Sequence, residues 1–211
     1  MTAVTDHRAT QTPVRDQGDR PTCVAFAVSA AHEWRASDRV VRSAEDAMWA
    51  AHQVAEVPGR EETTVSWALE GLRRHAHATE QAWPYGAPRW SDGRPAPALD
   101  EGNRRALPPW SDLGAATYQT IADQVKDGHP IVLTLGVVPA AWYHGGDVID
   151  APAGGKMPGN HAVLAVGSLE SPERLVIKNS WGPVWGDSGY GLVTRRYYDH
   201  YALRAHILEA A

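Results

Sequence analysis

The chain has 211 residues, is 43% hydrophobic and carries a formal net charge of −5, which supplies a core for one large domain or two closely packed lobes and excludes a disordered chain. The arginine pairs Arg73–Arg74, Arg104–Arg105 and Arg195–Arg196 are too short and scattered to track a phosphate backbone, so no nucleic-acid partner is expected. One cysteine forms no intramolecular disulfide, no stretch nears the roughly 18 apolar residues of a membrane span, and the first residues lack an apolar core behind a basic flank, so the expectation is a cytoplasmic protein with no membrane partner, held by packing.

Taken in chain order, the pattern is helical from Thr22 to about His77. Val24, Phe26, Ala27, Val28, Ala31 and Trp34 gather on one broad face, with Thr22 as N-cap behind Pro21. Ser43 and Asp46 have capping-box spacing ahead of a second helical run through Ala55, and Thr64 caps a third that carries Val65, Ala68, Leu69 and Leu72. Residues 83–112 hold six prolines and read as a long crossing segment rather than an element. After a short helix around Tyr118 to Asp127, the runs PIVLTLGVV, HAVLAVGS, RLVIKNS and GYGLVTRR read as strands. Between the first two, GGDVIDAPAGGKMPGN reads as a loop that ends at His161. The architecture predicted is a helical half and a β-rich half with a cleft between them.

Cys23 falls in the first turn of the first helix, where the partial positive charge and free N–H groups favour the thiolate, the nucleophilic form. A lone cysteine in an apolar helix is more often a small core residue. Gln17, six residues upstream in the turn-forming DQGDRP stretch, offers a carboxamide donor to an oxyanion, with the Cys23 backbone N–H as the second donor. His161 opens a strand directly after a flexible loop and supplies a proton carrier; a structural histidine at a loop edge is the alternative. Asn179 follows the next strand and can orient the imidazole, and Trp181, two residues on, can cover that contact from water. A turn with a core tryptophan explains NSWG equally well at this point.

PVRDQGDRPTCVAFA, GNHAVLAVG and KNSWGPVWGDSGYG together resemble the three signature segments of the papain-like cysteine proteases, in the family's order. The histidine falls within the family's interval of roughly 130–150 residues after the cysteine and the asparagine slightly past it, and WPYG at Trp83–Gly86 resembles a segment that follows the family's third helical stretch. The resemblance spans nearly the whole chain. It implies an α+β, two-lobed fold: a helical lobe over residues 1–110 that carries the nucleophile, and an antiparallel, barrel-like β lobe over 111–211 that carries histidine and asparagine. It also implies Cys23 as nucleophile resting as a thiolate–imidazolium pair, His161 as general base and acid, Asn179 as orienting residue, Gln17 as oxyanion donor and Trp181 as shield, with no metal or cofactor.

The departures from the family pattern are local. Arg20 stands where the family has a cysteine three residues before the nucleophile, so the usual disulfide is gone; Pro21 replaces a glycine and Val24 an aromatic residue. The paired glycines ahead of the third helix are replaced in GREETTVSW by Glu62, Thr63 and Thr64, and Thr63 and Thr64 are assigned to substrate pairing through their backbone. Asn160 and Trp67 are assigned to a side-chain pocket. The motif begins within the first 20 residues, so almost no room for an inhibitory leader is expected, and narrow substrate choice or an activating or targeting partner is the expected restraint. Hydrolysis of a peptide or protein substrate is the leading reading. Acyl transfer to an amine through the same thioester, and a catalytically silent peptide-binding module, are the alternatives. GxSxG, GxxxxGK[ST] and HExxH motifs do not occur.

Overall fold

The computed structural model describes residues 4–36, 38–55, 61–143, 146–154 and 156–210. Strand β1 (Val4–Asp6) leads to helix α1 (Cys23–Ala36). The Thr22 carbonyl accepts from the Phe26 N–H at 3.2 Å, which marks the helix start, while the Thr22 hydroxyl pairs with that of Tyr85 at 2.8 Å. Helix α2 (Ala44–Val54) is capped by Ser43, whose hydroxyl accepts from the Asp46 N–H, and α3 (Val65–His75) by Thr64, which does the same for Trp67. Each cap satisfies a helix N–H that has no intrahelical partner.

The proline-rich segment is more structured than its composition suggests. Strand β2 (His77–Ala78) precedes it, and the segment runs through α4 (Ala96–Leu99) and β3 (Arg104–Arg105), which pairs back with β2, before entering β4 (Trp110–Gly114). Two of its prolines suit α4, Pro95 just before it and Pro97 in its first turn, where a missing N–H costs nothing.

The second half runs through α5 (Tyr118–Lys126), β5 (Ile131–Val137), α6 (Pro139–Trp142), β6 (Val148–Ile149), β7 (Gly159–Glu170), β8 (Glu173–Lys178), β9 (Tyr190–Thr194), α7 (Arg195–Tyr201) and β10 (Ala202–Leu208). The stretch read as one loop therefore carries β6, paired parallel to β9, with Gly145 and Gly155 outside the described residues. The arginines at the end of GYGLVTRR begin α7, because the Thr194 hydroxyl accepts from the Tyr197 N–H and turns the strand into a helix. The strand order is β4-β10-β5-β7-β8-β9-β6, with β1 beside β7, and every pairing but β6–β9 is antiparallel. The sheet stays open, with β4 and β6 as its ends, so the barrel-like lobe is corrected to an open sheet in an α+β fold.

β7 is the spine. Ala162, Leu164 and Val166 face α1 and the cluster that includes α2 and α3, whereas Val163 and Ala165 face the cluster built on α5 and α7. A strand covered on both sides needs apolar residues at successive positions, which is why HAVLAVG shows no alternation. Gly167 lets β1 approach: a Cβ there would lie 2.5 Å from the Thr5 carbonyl oxygen. β1 pairs with β7, and Leu208 at the end of β10 packs in the same cluster as α1, so both ends of the described chain cross the 110/111 boundary in space.

Candidate active site

Cys23 opens α1 with its side chain partly buried. Three backbone N–H groups, of Ala162, Val24 and Cys23 itself, act on the sulfur and favour the thiolate, but burial is the larger influence and pushes the thiol up from its ordinary value. The Ala162 contact shows how α1 and β7 meet, since the residue before Ala162 is His161. That histidine sits opposite Leu135 of β5 and is 4% exposed. Burial holds its imidazole down to about 4, against the Asn179 hydrogen bond, which raises it.

Asn179 follows β8 and is fixed by its N–H, which donates to the Gly189 carbonyl at 3.0 Å. Its Oδ1 lies 2.7 Å from His161 Nε2 and also accepts the Ser180 N–H at 2.8 Å. An oxygen committed as acceptor requires the proton on Nε2, so in the neutral ring Nδ1 carries the free lone pair. Lys178, one residue earlier, donates to the Thr12 carbonyl and hydroxyl at 2.8 and 3.0 Å, which ties this strand end to the chain before α1.

Gln17 is held as closely. Its N–H donates to the Ser180 carbonyl at 2.8 Å, its Oε1 accepts from Ser180 Oγ at 2.6 Å, and its Nε2 donates to the Arg20 carbonyl at 2.8 Å. The Ser180 hydroxyl thus fixes which end of the amide is the donor, and one Nε2 hydrogen remains for another acceptor. Tyr85 donates to the Gln17 carbonyl at 2.8 Å and joins this turn to the start of α1 through Thr22. Where the family pattern has its local disulfide, Arg20 makes a two-pronged ion pair with fully buried Glu45, which also accepts the Gly86 and Trp90 N–H groups.

Aromatic rings enclose the imidazole. The Trp181 ring centroid is 4.7 Å from that of His161, the Trp142 ring stands edge-on to it at 5.6 Å, and Tyr143 stacks on Trp181 at 5.2 Å. The Tyr197 hydroxyl holds the Trp142 indole N–H at 2.7 Å. Gln17, Cys23, Thr63, Asn160, His161 and Trp181 all line one groove of about 740 Å³, with Asn179 behind His161. Thr64 and Trp67 do not line it: Thr64 caps α3, and Trp67 packs on the helical core. Gly59 and Arg60, the start of the GREETTVSW segment, lie outside the described residues. Ser180, Trp142 and Tyr143 are site residues that sequence reasoning missed. Ser180 was readable as the middle of NSW; Trp142 reaches the imidazole, and Tyr143 reaches Trp181, only through the fold.

The geometry brings a thiol, a ring with a free basic nitrogen and an oriented carboxamide to one cleft, the components of nucleophilic acyl chemistry. Among the described residues no group of three or more His, Cys, Asp or Glu is arranged to hold a metal, and no helix is long and apolar enough to cross a membrane.

Comparison with known proteins places these features in context. The family described as papain family cysteine protease matches residues 1–210. Chymopapain from Carica papaya is 28% identical over 199 residues, covering 88% of this chain and 52% of that protein, and cysteine proteinase B from Leishmania mexicana is 28% identical over 215 residues, covering 95% and 46%. The chain therefore spans about half the length of these relatives. Among solved structures, xylellain, a cysteine protease from Xylella fastidiosa, superposes with a TM-score of 0.82 at 21% identity, covering 99% of this chain and 86% of that one. Procathepsin L 3 from the larval midgut of Tenebrio molitor gives 0.79 at 22% identity, covering 97% and 68%. At these identities the structural likeness speaks for the fold.

Proposed function

The chain belongs to the papain family of cysteine proteases, and on that premise we propose that it hydrolyses peptide bonds through an acyl-thioester on Cys23. His161 Nδ1 takes the thiol proton as the sulfur attacks the carbonyl carbon. The oxyanion that forms is met by the remaining Gln17 Nε2 hydrogen and the Cys23 N–H. As the C–N bond breaks, the imidazolium returns its proton to the leaving amine. Water then attacks the thioester, giving its proton to His161; the C–S bond breaks and the proton returns to sulfur, releasing the acid.

The observation that carries this reading is the double use of Asn179 Oδ1, by His161 Nε2 at 2.7 Å and by the Ser180 N–H at 2.8 Å, because it leaves the other ring nitrogen as base. The free thiol this requires fits a reducing compartment, the cytoplasm among them. Incubating the purified chain with a peptide library tests the reading. Products heavier by one water, about 18 Da, that vanish with Cys23→Ala and with His161→Ala support it. Products joined to added amines in place of water assign the thioester to acyl transfer instead.

A further inference from the structure

A second cavity, of about 470 Å³, opens at the far end of α1 from Cys23, between the helix end, the connection from β3 to β4 and Ala210 after β10. A helix rises about 1.5 Å per residue, so Arg35 in its wall stands roughly 18 Å along α1 from the thiol. Arg35 is partly buried without a counter-ion. Its Nη2 donates to His129 Nδ1 and the Leu208 carbonyl at 2.8 and 3.0 Å, its Nε is buried with no acceptor, and among the described residues no carboxylate pairs with it. Arg105, in the same wall, shares the one exposed carboxylate of Asp38 with Arg42. His32 adds a second, independent feature: it lines the cavity, is 1% exposed, and its Nε2 has no partner among the described residues. The ring protons can be placed. The Ser43 carbonyl only accepts, so His77 Nε2, 2.9 Å away, carries a proton; His77 Nδ1 is then a lone pair, to which His32 Nδ1 donates at 3.1 Å. Burial and the Arg42 and Arg105 charges keep the His32 ring neutral against Asp38 and the Ala106 carbonyl. Its Nε2 is therefore a buried lone pair without a donor, a costly thing to leave unanswered.

The cavity thus holds guanidinium donors that lack an anion and a nitrogen that lacks a proton. A carboxylate or a sulfate satisfies only the first. A phosphate group, whose second ionisation falls near pH 6, retains an acid hydroxyl and satisfies both. We propose that this cavity binds a phosphate group, free or as the ester of a small molecule, with Arg35 and Arg105 on its oxygens and its acid hydroxyl donating to His32 Nε2. The proton of that last contact is carried in by the phosphate monoanion. In an ester, the carbon body lies on the apolar wall of Leu107 and Pro108. The site stands apart from the hydrolytic reading above, and its occupancy is read without turnover.

Calorimetric titration of the chain at about pH 6 with phenyl phosphate, phenyl sulfate and inorganic phosphate tests it, together with the nitrogen NMR signal of His32 Nε2. Phenyl phosphate is expected to bind at one site, about fivefold or more tighter than phenyl sulfate, the worth of one added hydrogen bond. It is expected to move the Nε2 signal, which phenyl sulfate leaves in place. Arg35→Gln and Arg105→Gln are each expected to weaken it about fivefold; the Arg105 side chain is 49% exposed, so that variant stays informative even where Arg35→Gln fails to fold. Inorganic phosphate that binds as tightly and moves the same signal supports the proposal with the free ion as occupant, and weaker inorganic phosphate supports it with an ester. Absence of saturable binding by either phosphate, an Nε2 signal that neither moves, or an affinity that the arginine variants leave unchanged overturns it.

Discussion

The carboxamide of Gln17 depends on its neighbour for its orientation, because a free amide turns either end toward the groove. The 2.6 Å contact from Ser180 Oγ to Oε1 settles this. Gln17→Ala is predicted to lower kcat by about 10²–10³ with KM nearly unchanged, since the oxyanion exists only beyond the ground state. Ser180→Ala keeps the donor and loses its orientation, and a loss of about tenfold in kcat is predicted from one released hydrogen bond. Steady-state kinetics on one peptide separates the two; a change confined to KM would contradict both. At this scale much was legible in the sequence. Thr22 and Pro21 announce a helix start at Cys23, and the loop before His161 announces a strand start. Trp142 was not, because its 5.6 Å approach to His161 comes from a four-residue helix that leaves no periodic trace. The Arg20–Glu45 pair was not legible either, since the partners are 25 residues apart.

Helices α2 and α3 pack so closely that one glycine decides their distance. A Cβ on Gly71 would lie 2.1 Å from the Ala50 carbonyl oxygen, a backbone atom that has no rotamer to escape into. Gly71→Ala is therefore predicted to destabilise the chain by about 3 kcal/mol despite the better helix propensity of alanine. Urea unfolding measures it, and a loss under about 1 kcal/mol would show that the helices can part without cost. The three helices were readable because each has a cap residue ahead of an apolar stripe. Among the elements that escaped, β1, β3 and β6 are strands of two or three residues whose existence is decided by the partner they meet. Val4–Asp6 becomes a strand because Gly167 leaves room for it beside β7, and nothing within three residues can encode that.

Across the whole molecule the sheet is a shared wall, with α1 on one face and α5 and α7 on the other, and the two chemistry-bearing segments meet because Ala162 of β7 packs on α1 next to Cys23. A second global property follows from buried rings. Burial and the Arg42 and Arg105 charges hold His32 down to about 3, burial and His32 hold His77 well below its usual value, and burial holds His161 at about 4. In the unfolded chain each titrates near 6.5. As pH falls from about 6.5 toward 4 the unfolded state takes up protons that the folded state refuses, so stability drops by up to about 1.4 kcal/mol per pH unit for each histidine. The urea midpoint is predicted to fall clearly between pH 7 and pH 5, and a flat midpoint would mean that these rings protonate in place. The α+β plan was legible from the change of texture near residue 112, whereas the open sheet was not, because strand order depends on contacts far apart in sequence. The central claim, that the Cys23 sulfur and the His161 ring work as one unit, is tested most directly by the rate of Cys23 alkylation against pH in the wild type and in His161→Ala. Burial pushes the thiol up, so the variant is predicted to react only above the free-cysteine value of about 8.5, while the wild type, whose neutral imidazole takes the proton as the sulfur attacks, reacts below it. Two coincident profiles would contradict the account.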